Sequence, residues 1–448
     1  MTQRKTPAYN LKAVVRETGL KPDTLRAWER RYGVPTPRRT AGGHRIYSQE
    51  DINTLKWLVA RQAEGMSISR AIELWKQLRT AGHETDHAPK PNRTFAPEYT
   101  TFQNGTLSSM RNTWVTACIE FDEQSAEVAL NQAFGLYPPE VVCIDLLQRG
   151  LAEIGQRWYQ GTVTVQQEHF ASELALRRLD ALMATTPAPT RQHRILVACP
   201  PEEDHTFSPL LLSLILRRRG FDVTYLGANV PTQRFGATLE QIQPRLIILA
   251  AQQLYTAATL LDMTQYINEH RIPVAYGGRI FNLMPSLRRR IPAHFLGESI
   301  DQVPQVVERL VSDNPPPQPS GHLPPGYAMA LIHFRANQVR VDATVWQLLT
   351  QTNVDLANMD LNHANLNMAR NINAGLSLGD LSFLGSDIAW IAGLLTNYSM
   401  SVMPLKLYLE LYLQALRMNL DDRGTPIINW LAGLIETLDL SGHIIHQQ

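Results

Sequence analysis

At 448 residues, with 44% hydrophobic and 19% charged residues, the chain has the composition of a soluble globular protein and the length of about three compact units. No run approaches the roughly 18 apolar residues of a membrane span, and the first residues lack the apolar core of a secretory leader, so a cytoplasmic protein with no membrane partner is expected. The net charge of +1 conceals an asymmetry: residues 1–80 hold 16 Lys and Arg against 7 Asp and Glu, the electrostatic footprint of a nucleic-acid-binding module on an otherwise mildly acidic chain.

The first elements are helical. Residues 11–18 carry helical patterning, Gly19 marks a turn, and a second helix begins at Pro22, a residue suited to a first helical turn. Leu25 and Trp28 can anchor this second helix to the first, leaving Arg26, Arg30, Arg31 and Tyr32 to enter a DNA major groove. Next comes a Gly42-Gly43 turn between two basic extended segments. It predicts a wing in which Arg38, Arg39, Gly43, His44, Arg45 and Tyr47 grip phosphates and the groove. Residues 9–75 resemble the N-terminal domain of MerR-family regulators, and the predicted DNA-binding domain spans 5–80. The resemblance implies binding to double-stranded promoter DNA as a homo-oligomer, a dimer or tetramer on inverted repeats. The long dimerisation helix and metal-binding cysteine loop usual in that family are not seen after Trp75, so the signal must be read elsewhere in the chain.

Polar and proline-rich stretches at 80–92 and 313–325 read as linkers. Between them, residues 93–187 show helical periodicity, while 192–312 alternate five short apolar runs with helical stretches, the order expected of a parallel, doubly wound, Rossmann-like sheet. Ligands of such sheets sit at the carboxyl ends of the strands, and the loop after the first strand carries His205. Glu203, two residues earlier, can accept one ring N–H of His205 and so fix the tautomer whose other nitrogen ligates a metal. Cys118, Cys143 and Cys199 are odd in number and far apart in apolar contexts, which predicts buried reduced thiols rather than disulfides or a zinc site.

Residues 93–312 resemble the helical cap and cobalamin-binding sheet shared by B12-dependent methionine synthase, mutases and light-sensing MerR-type regulators. The resemblance implies cobalamin, as adenosylcobalamin, with His205 the lower axial ligand of its cobalt. In that family a glycine follows the histidine by three positions, and here it is Ser208. Ala250 and Ala251 stand where a serine follows the third strand, whereas the glycine pair after the fourth strand is kept as Gly277-Gly278. In the cap, Trp158 is followed after nine residues by Glu168-His169. The resemblance places Trp158 and this pair at the upper face, where an aromatic lid and a carboxylate for ribose hydroxyls suit an adenosyl group. Several photoreceptors have a histidine directly after the cap tryptophan; this chain has Tyr159, so two histidine ligands in the light would require His169.

Residues 326–448 show apolar spacing that predicts a bundle of four or more helices of unassigned role. A loose likeness to helical or globin-like sensory modules leaves room for a second chromophore. His333, His363, Trp390, Tyr398, Tyr408 and Tyr412 fit a packed core or an oligomer interface better than a pocket. The expected whole is a DNA-binding repressor, not an enzyme, controlled by cobalamin and light. The alternatives are a cofactor-free repressor governed by a partner protein and a cobalamin-carrying methyltransferase module.

Overall fold

A computed structural model describes residues 9–18, 20–40, 45–63, 68, 72, 106–313, 315–316, 321–352, 361–398 and 400–437. The chain divides into two units, 1–102 and 103–448.

In the first unit, β1 (Tyr9–Asn10) leads into α1 (Leu11–Thr18) and α2 (Pro22–Tyr32), followed by β2 (Arg38–Arg39), β3 (Arg45–Tyr47) and α3 (Gln49–Ala63). Pro22 lies in the first turn of α2, where its missing N–H costs nothing, and Gly33 ends the helix at a φ of 69°. Ser48 and Asp51 cap α3 reciprocally, Asp51 N–H donating to Ser48 Oγ at 3.1 Å and Ser48 N–H to Asp51 Oδ2 at 2.8 Å. The strands form an antiparallel sheet in the order β1-β3-β2, so β2 and β3 are the two arms of the expected wing. Gly19, the wing tip at 41–44 and the linker at 80–92 lie outside the described residues. As the sequence predicts, Leu25 and Trp28 are buried, together with Val14, Val34, Ile52, Leu55 and Leu58.

The second unit begins with a helical cap. Its elements are α4 (Leu107–Ile119), α5 (Glu123–Leu136), the short α6 (Pro139–Val141), a π-helical run (Val142–Gln148), α7 (Arg149–Tyr159) and α8 (Val165–Ala184). Trp114, Leu130, Leu146, Ile154, Leu174 and Leu179 fill its core. The parallel sheet follows as β4 (Arg194–Ala198), β5 (Asp222–Tyr225), β6 (Leu246–Ala250), β7 (Val274–Gly277) and β8 (His294–Phe295), in the order β5-β4-β6-β7-β8. These are the five apolar runs read from the sequence. Because β4 has β5 on one side and β6 on the other, the chain winds in opposite directions from it. The crevice at the carboxyl ends of β4 and β6 is therefore the switch point where such folds bind ligands.

Five helices connect or follow the strands: α9 (Phe207–Arg218), α10 (Phe235–Ile242), α11 (Leu254–Glu269), α12 (Arg279–Leu283) and α13 (Val303–Asp313). Helix α9 packs on both the sheet and the cap, giving Leu210, Leu211, Leu214 and Ile215 to the cap's core. Beyond the second linker come α14 (Tyr327–Thr350), α15 (Leu361–Leu378), α16 (Phe383–Asn397), α17 (Met403–Asn419) and α18 (Thr425–Thr437), the expected helical bundle. This bundle packs α15 against α11, and one continuous core runs from Leu196 and Leu249 through Leu260 to Phe334, Ile372 and Tyr412. Helix α11 makes this possible by being apolar nearly all round, with Leu254, Ala257, Leu260, Leu261, Met263 and Ile267 all buried.

Candidate cofactor site and nucleic-acid face

On α2, Arg26, Arg30 and Arg31 are exposed, and the Arg31 guanidinium lies 5.4 Å from the centroid of the half-buried Tyr32 ring. Arg38 and Arg39 are exposed on β2, with Arg39 paired across the ladder to Arg45. Arg45 is half-buried, and its Nε donates to Glu29 Oε2 on α2 at 2.8 Å. Tyr47, read from the sequence as a DNA contact, is a core side chain only 1% exposed. The cause is strand alternation: Arg45 and Tyr47 share the face of β3 turned toward α2, which brings one to Glu29 and the other into the core. Gly43 and His44 lie outside the described residues.

At the switch point the loop after β4 is held by one carboxylate. Glu203 is fully buried and accepts four hydrogen bonds. Its Oε1 takes the His205 backbone N–H at 2.9 Å and ring Nδ1–H at 2.7 Å; its Oε2 takes the Gln252 N–H at 2.7 Å and the Thr256 hydroxyl at 2.7 Å. Burial alone would raise this carboxyl's pKa, but the four donors outweigh it and hold the group below the usual carboxylate range. The hydrogen bond to Glu203 raises the His205 pKa against the opposing effect of burial, and the charges of Glu203, Asp204 and Glu168 add to the rise. A carboxylate can only accept, so Nδ1 carries the proton and Nε2 keeps its lone pair. The imidazole is 57% exposed at its outer side. Its Nε2 could therefore ligate a metal with a fixed tautomer on a braced loop.

The cap presents its own residues to the same region. Thr164 and Gln167 form a capping box that starts α8, so Glu168 and His169 lie in its first turn. Glu168 accepts from Ser172 Oγ at 2.8 Å, and its charge adds to the rise of the His205 pKa. His169 is 75% exposed, its Nδ1 lying 3.8 Å from Glu168 Oε2. Trp158 and Tyr159 end α7, both half-buried. Ser208 is half-buried in the first turn of α9. Gly277 ends β7, and Gly278 follows at a φ of 125°, where a Cβ would collide with the Ala251 carbonyl; the loops after β6 and β7 touch through their backbones there.

Of the residues singled out in the sequence, the structure joins His205 to Glu203 directly, and Glu168 adds to the rise of the His205 pKa. Sequence reasoning missed Thr256 and Gln252, which brace Glu203 from a different strand end and carry no local signal. It also missed the bundle's contacts: Arg370 on α15 pairs with Glu202 at 2.8 Å, and Trp390 on α16 lies against Trp158 and Tyr159. Of the other bundle residues singled out, Tyr408 and Tyr412 are core. His333 is buried, with Nε2 accepting from the Asp421 N–H at 3.2 Å, while His363 is exposed. All three cysteines are buried and free of disulfides, with thiol pKa values pushed up to about 12 by burial. No helix among the described residues is long and apolar enough to cross a membrane.

Comparison with known proteins agrees with this division of labour. Residues 9–78 match the MerR HTH family of regulatory proteins, and 110–183 and 193–307 match two B12 binding domain families. The HTH-type transcriptional repressor CarH of Myxococcus xanthus is 31% identical over 300 residues, covering 65% of this chain and 95% of that protein. The HTH-type transcriptional repressor CarA of the same organism is 34% identical over 244 residues, covering 54% of this chain and 75% of that protein. A monomethylamine corrinoid protein structure from Methanosarcina barkeri covers 46% of this chain and 100% of its own at 12% identity, but its TM-score of 0.39 is too low to carry an argument. With a MerR-type winged helix ahead of a B12-binding cap and sheet, the chain belongs to the family of CarH- and CarA-like HTH-type transcriptional repressors.

Proposed function

We propose that this repressor holds adenosylcobalamin between cap and sheet, and that light acting there changes its oligomeric state and its affinity for promoter DNA. The observation that carries the proposal is the exposed His205, whose Nδ1–H is held by the buried Glu203 carboxylate so that Nε2 is left to ligate. The donor set fits the group: one neutral imidazole nitrogen for cobalt, an aromatic lid at Trp158, and a carboxylate at Glu168 for sugar hydroxyls. Cobalamin, when bound, would supply a cobalt ion carrying an organic group that light can remove.

The chain's own residues do the rest. His205 would hold the cobalt through Nε2 of its neutral ring, with Glu203 keeping the other ring proton on Nδ1. Thr256 and Gln252 hold Glu203 and so tie the ligating loop to β6. Trp158 would cover the organic group and Glu168 would accept from its ribose hydroxyls, with His169 next to Glu168. Ser208, Gly277 and Gly278 border the slot for the nucleotide tail. A ligand shifts an assembly equilibrium only by the difference in its affinity for the two states, so light control would require the cap around Trp158 to pack differently in them. The winged helices then act as a two-fold set, with Arg26, Arg30, Arg31 and Tyr32 in the groove and Arg38, Arg39, Gly43, His44 and Arg45 along the wing. A cytoplasmic regulator without catalytic activity follows from this reading.

Ser208 in place of a glycine, and Ala250 and Ala251 without a hydroxyl, favour a second reading in which a partner protein governs a cofactor-free repressor. Operator binding and gel filtration of protein incubated with adenosylcobalamin, in the dark and after green light, separate the two. The proposal expects corrinoid to coelute with the protein, with tighter DNA binding and a larger assembly in the dark. Equal DNA binding and size under both conditions would refute light control, and absence of corrinoid from the protein peak would favour the second reading.

A further inference from the structure

The bundle touches the corrinoid cleft at the cap corner assigned to the upper face. The Trp390 ring centroid lies 5.8 Å from that of Trp158 and 5.4 Å from that of Tyr159, the second pair stacked at an interplanar angle of 24°. Behind this contact, α16 grips the backbone. Asn397 Nδ2 donates to the Tyr159 carbonyl at 2.9 Å, and the Tyr398 hydroxyl lies 2.9 Å from the Trp158 carbonyl and 3.4 Å from that of Val163. The approach is tight enough that a Cβ on Gly393 would collide with Tyr159 Oη. The carbonyls of Trp158 and Tyr159 belong to the last residues of α7; that of Trp158 also accepts from the Gly161 N–H at 2.9 Å, and side chains at the end of α16 reinforce this helix ending.

We propose that Trp390, Asn397 and Tyr398 are positioning residues that hold the Trp158 corner in place, so that the bundle sets which upper-face group the cleft accepts. This inference rests on the assignment of corrinoid binding above and extends it to a part of the chain with no assigned role. A tryptophan lid contributes to binding only if its rotamer and backbone are already fixed; otherwise the ligand must order them. An adenosyl group is large enough that it would extend toward the lid, whereas a hydroxyl group would not. The grip on α7 therefore matters for the ratio of the two affinities rather than for corrinoid binding in general. A contact of the bundle away from Trp158, Arg370 with Glu202 in the loop of His205, provides a control.

The test is a pair of equilibrium titrations, with adenosylcobalamin in the dark and with hydroxocobalamin, on the full chain. Trp390→Ala is expected to weaken adenosylcobalamin about fivefold relative to hydroxocobalamin, from the cost of ordering one large side chain. Tyr398→Phe should shift the ratio in the same direction by less, and Trp390→Phe should restore most of it. Arg370→Gln should leave the ratio unchanged. Without any corrinoid, amide hydrogen exchange at residues 159–163 should be faster in Trp390→Ala and Tyr398→Phe than in the wild type. An unchanged ratio, an equal loss for both corrinoids, or unchanged exchange would overturn the inference while leaving corrinoid binding intact. Failure of the wild type to take up either corrinoid would overturn the assignment beneath it.

Discussion

Replacing Glu203 by Gln tests whether one buried carboxylate organises the switch-point loop. The four donors divide two to each oxygen, His205 N and Nδ1 on one, Gln252 N and Thr256 Oγ1 on the other. Glutamine keeps one acceptor oxygen and turns the other into a donor. If the amide nitrogen faces β6, the Thr256 hydroxyl can reverse and accept, but the Gln252 N–H cannot; if it faces the loop, the His205 N–H is left instead. Either way at least one buried N–H loses its partner, at a cost of about 1–3 kcal/mol. The charge that raises the His205 pKa also disappears. The sign of the pH dependence follows from the pair. The lowered Glu203 pKa contributes stability above the unfolded carboxylate value that is lost as pH falls through the folded one. The raised His205 pKa contributes stability below the unfolded histidine value that is lost as pH rises through the folded one. The wild type's advantage over Glu203→Gln should therefore be greatest between about pH 4.3 and about pH 6.5 and shrink on both sides. Urea unfolding across that range, with an NMR titration of the His205 ring, measures both effects. Equal stability of the two proteins, or an unshifted His205 titration, would refute the bracing role.

Other consequences follow from particular residues. Arg39→Ala removes an exposed cation of the wing and should lower operator affinity at every sequence while reducing the log–log salt slope by about 0.9, as fluorescence anisotropy over a salt series would show; an unchanged slope would remove Arg39 from the phosphate contacts. Gly278→Ala forces a Cβ into the Ala251 carbonyl at a φ of 125° and should cost about 3 kcal/mol in denaturant unfolding, against little for Gly277→Ala, whose Cβ would come no nearer than 4.0 Å to Leu296. Cys118, Cys143 and Cys199, buried with thiol pKa values near 12, should resist a thiol reagent at neutral pH until the protein unfolds; rapid native labelling of any of them would contradict their burial.

The parts legible in the sequence are those whose meaning is local. Pro22 before a helical stripe, five apolar runs between helices, and Glu203 two residues before His205 each encode a structure within one element or loop. Tyr47 was readable in principle, because alternation along β3 puts it on the face of Arg45, but its place beside basic residues pointed to DNA. Thr256 and Trp390 were not readable. Thr256 meets Glu203 only because parallel pairing of β4 and β6 aligns their carboxyl ends, and Trp390 reaches Trp158 only because α15 packs on α11. The all-round apolarity of α11 was the one local hint that a further layer covers the sheet.

The central claim is that His205 ligates the cobalt of a bound corrinoid. Electron paramagnetic resonance of protein loaded with the cobalt(II) form of cobalamin reads the axial nitrogen directly, through its hyperfine splitting of the cobalt lines. The account predicts a splitting that changes when the protein's histidines carry the heavier nitrogen isotope and that no longer responds to the isotope in His205→Ala. A spectrum identical with either isotope would contradict it, since the axial nitrogen would then belong to the corrinoid's own base.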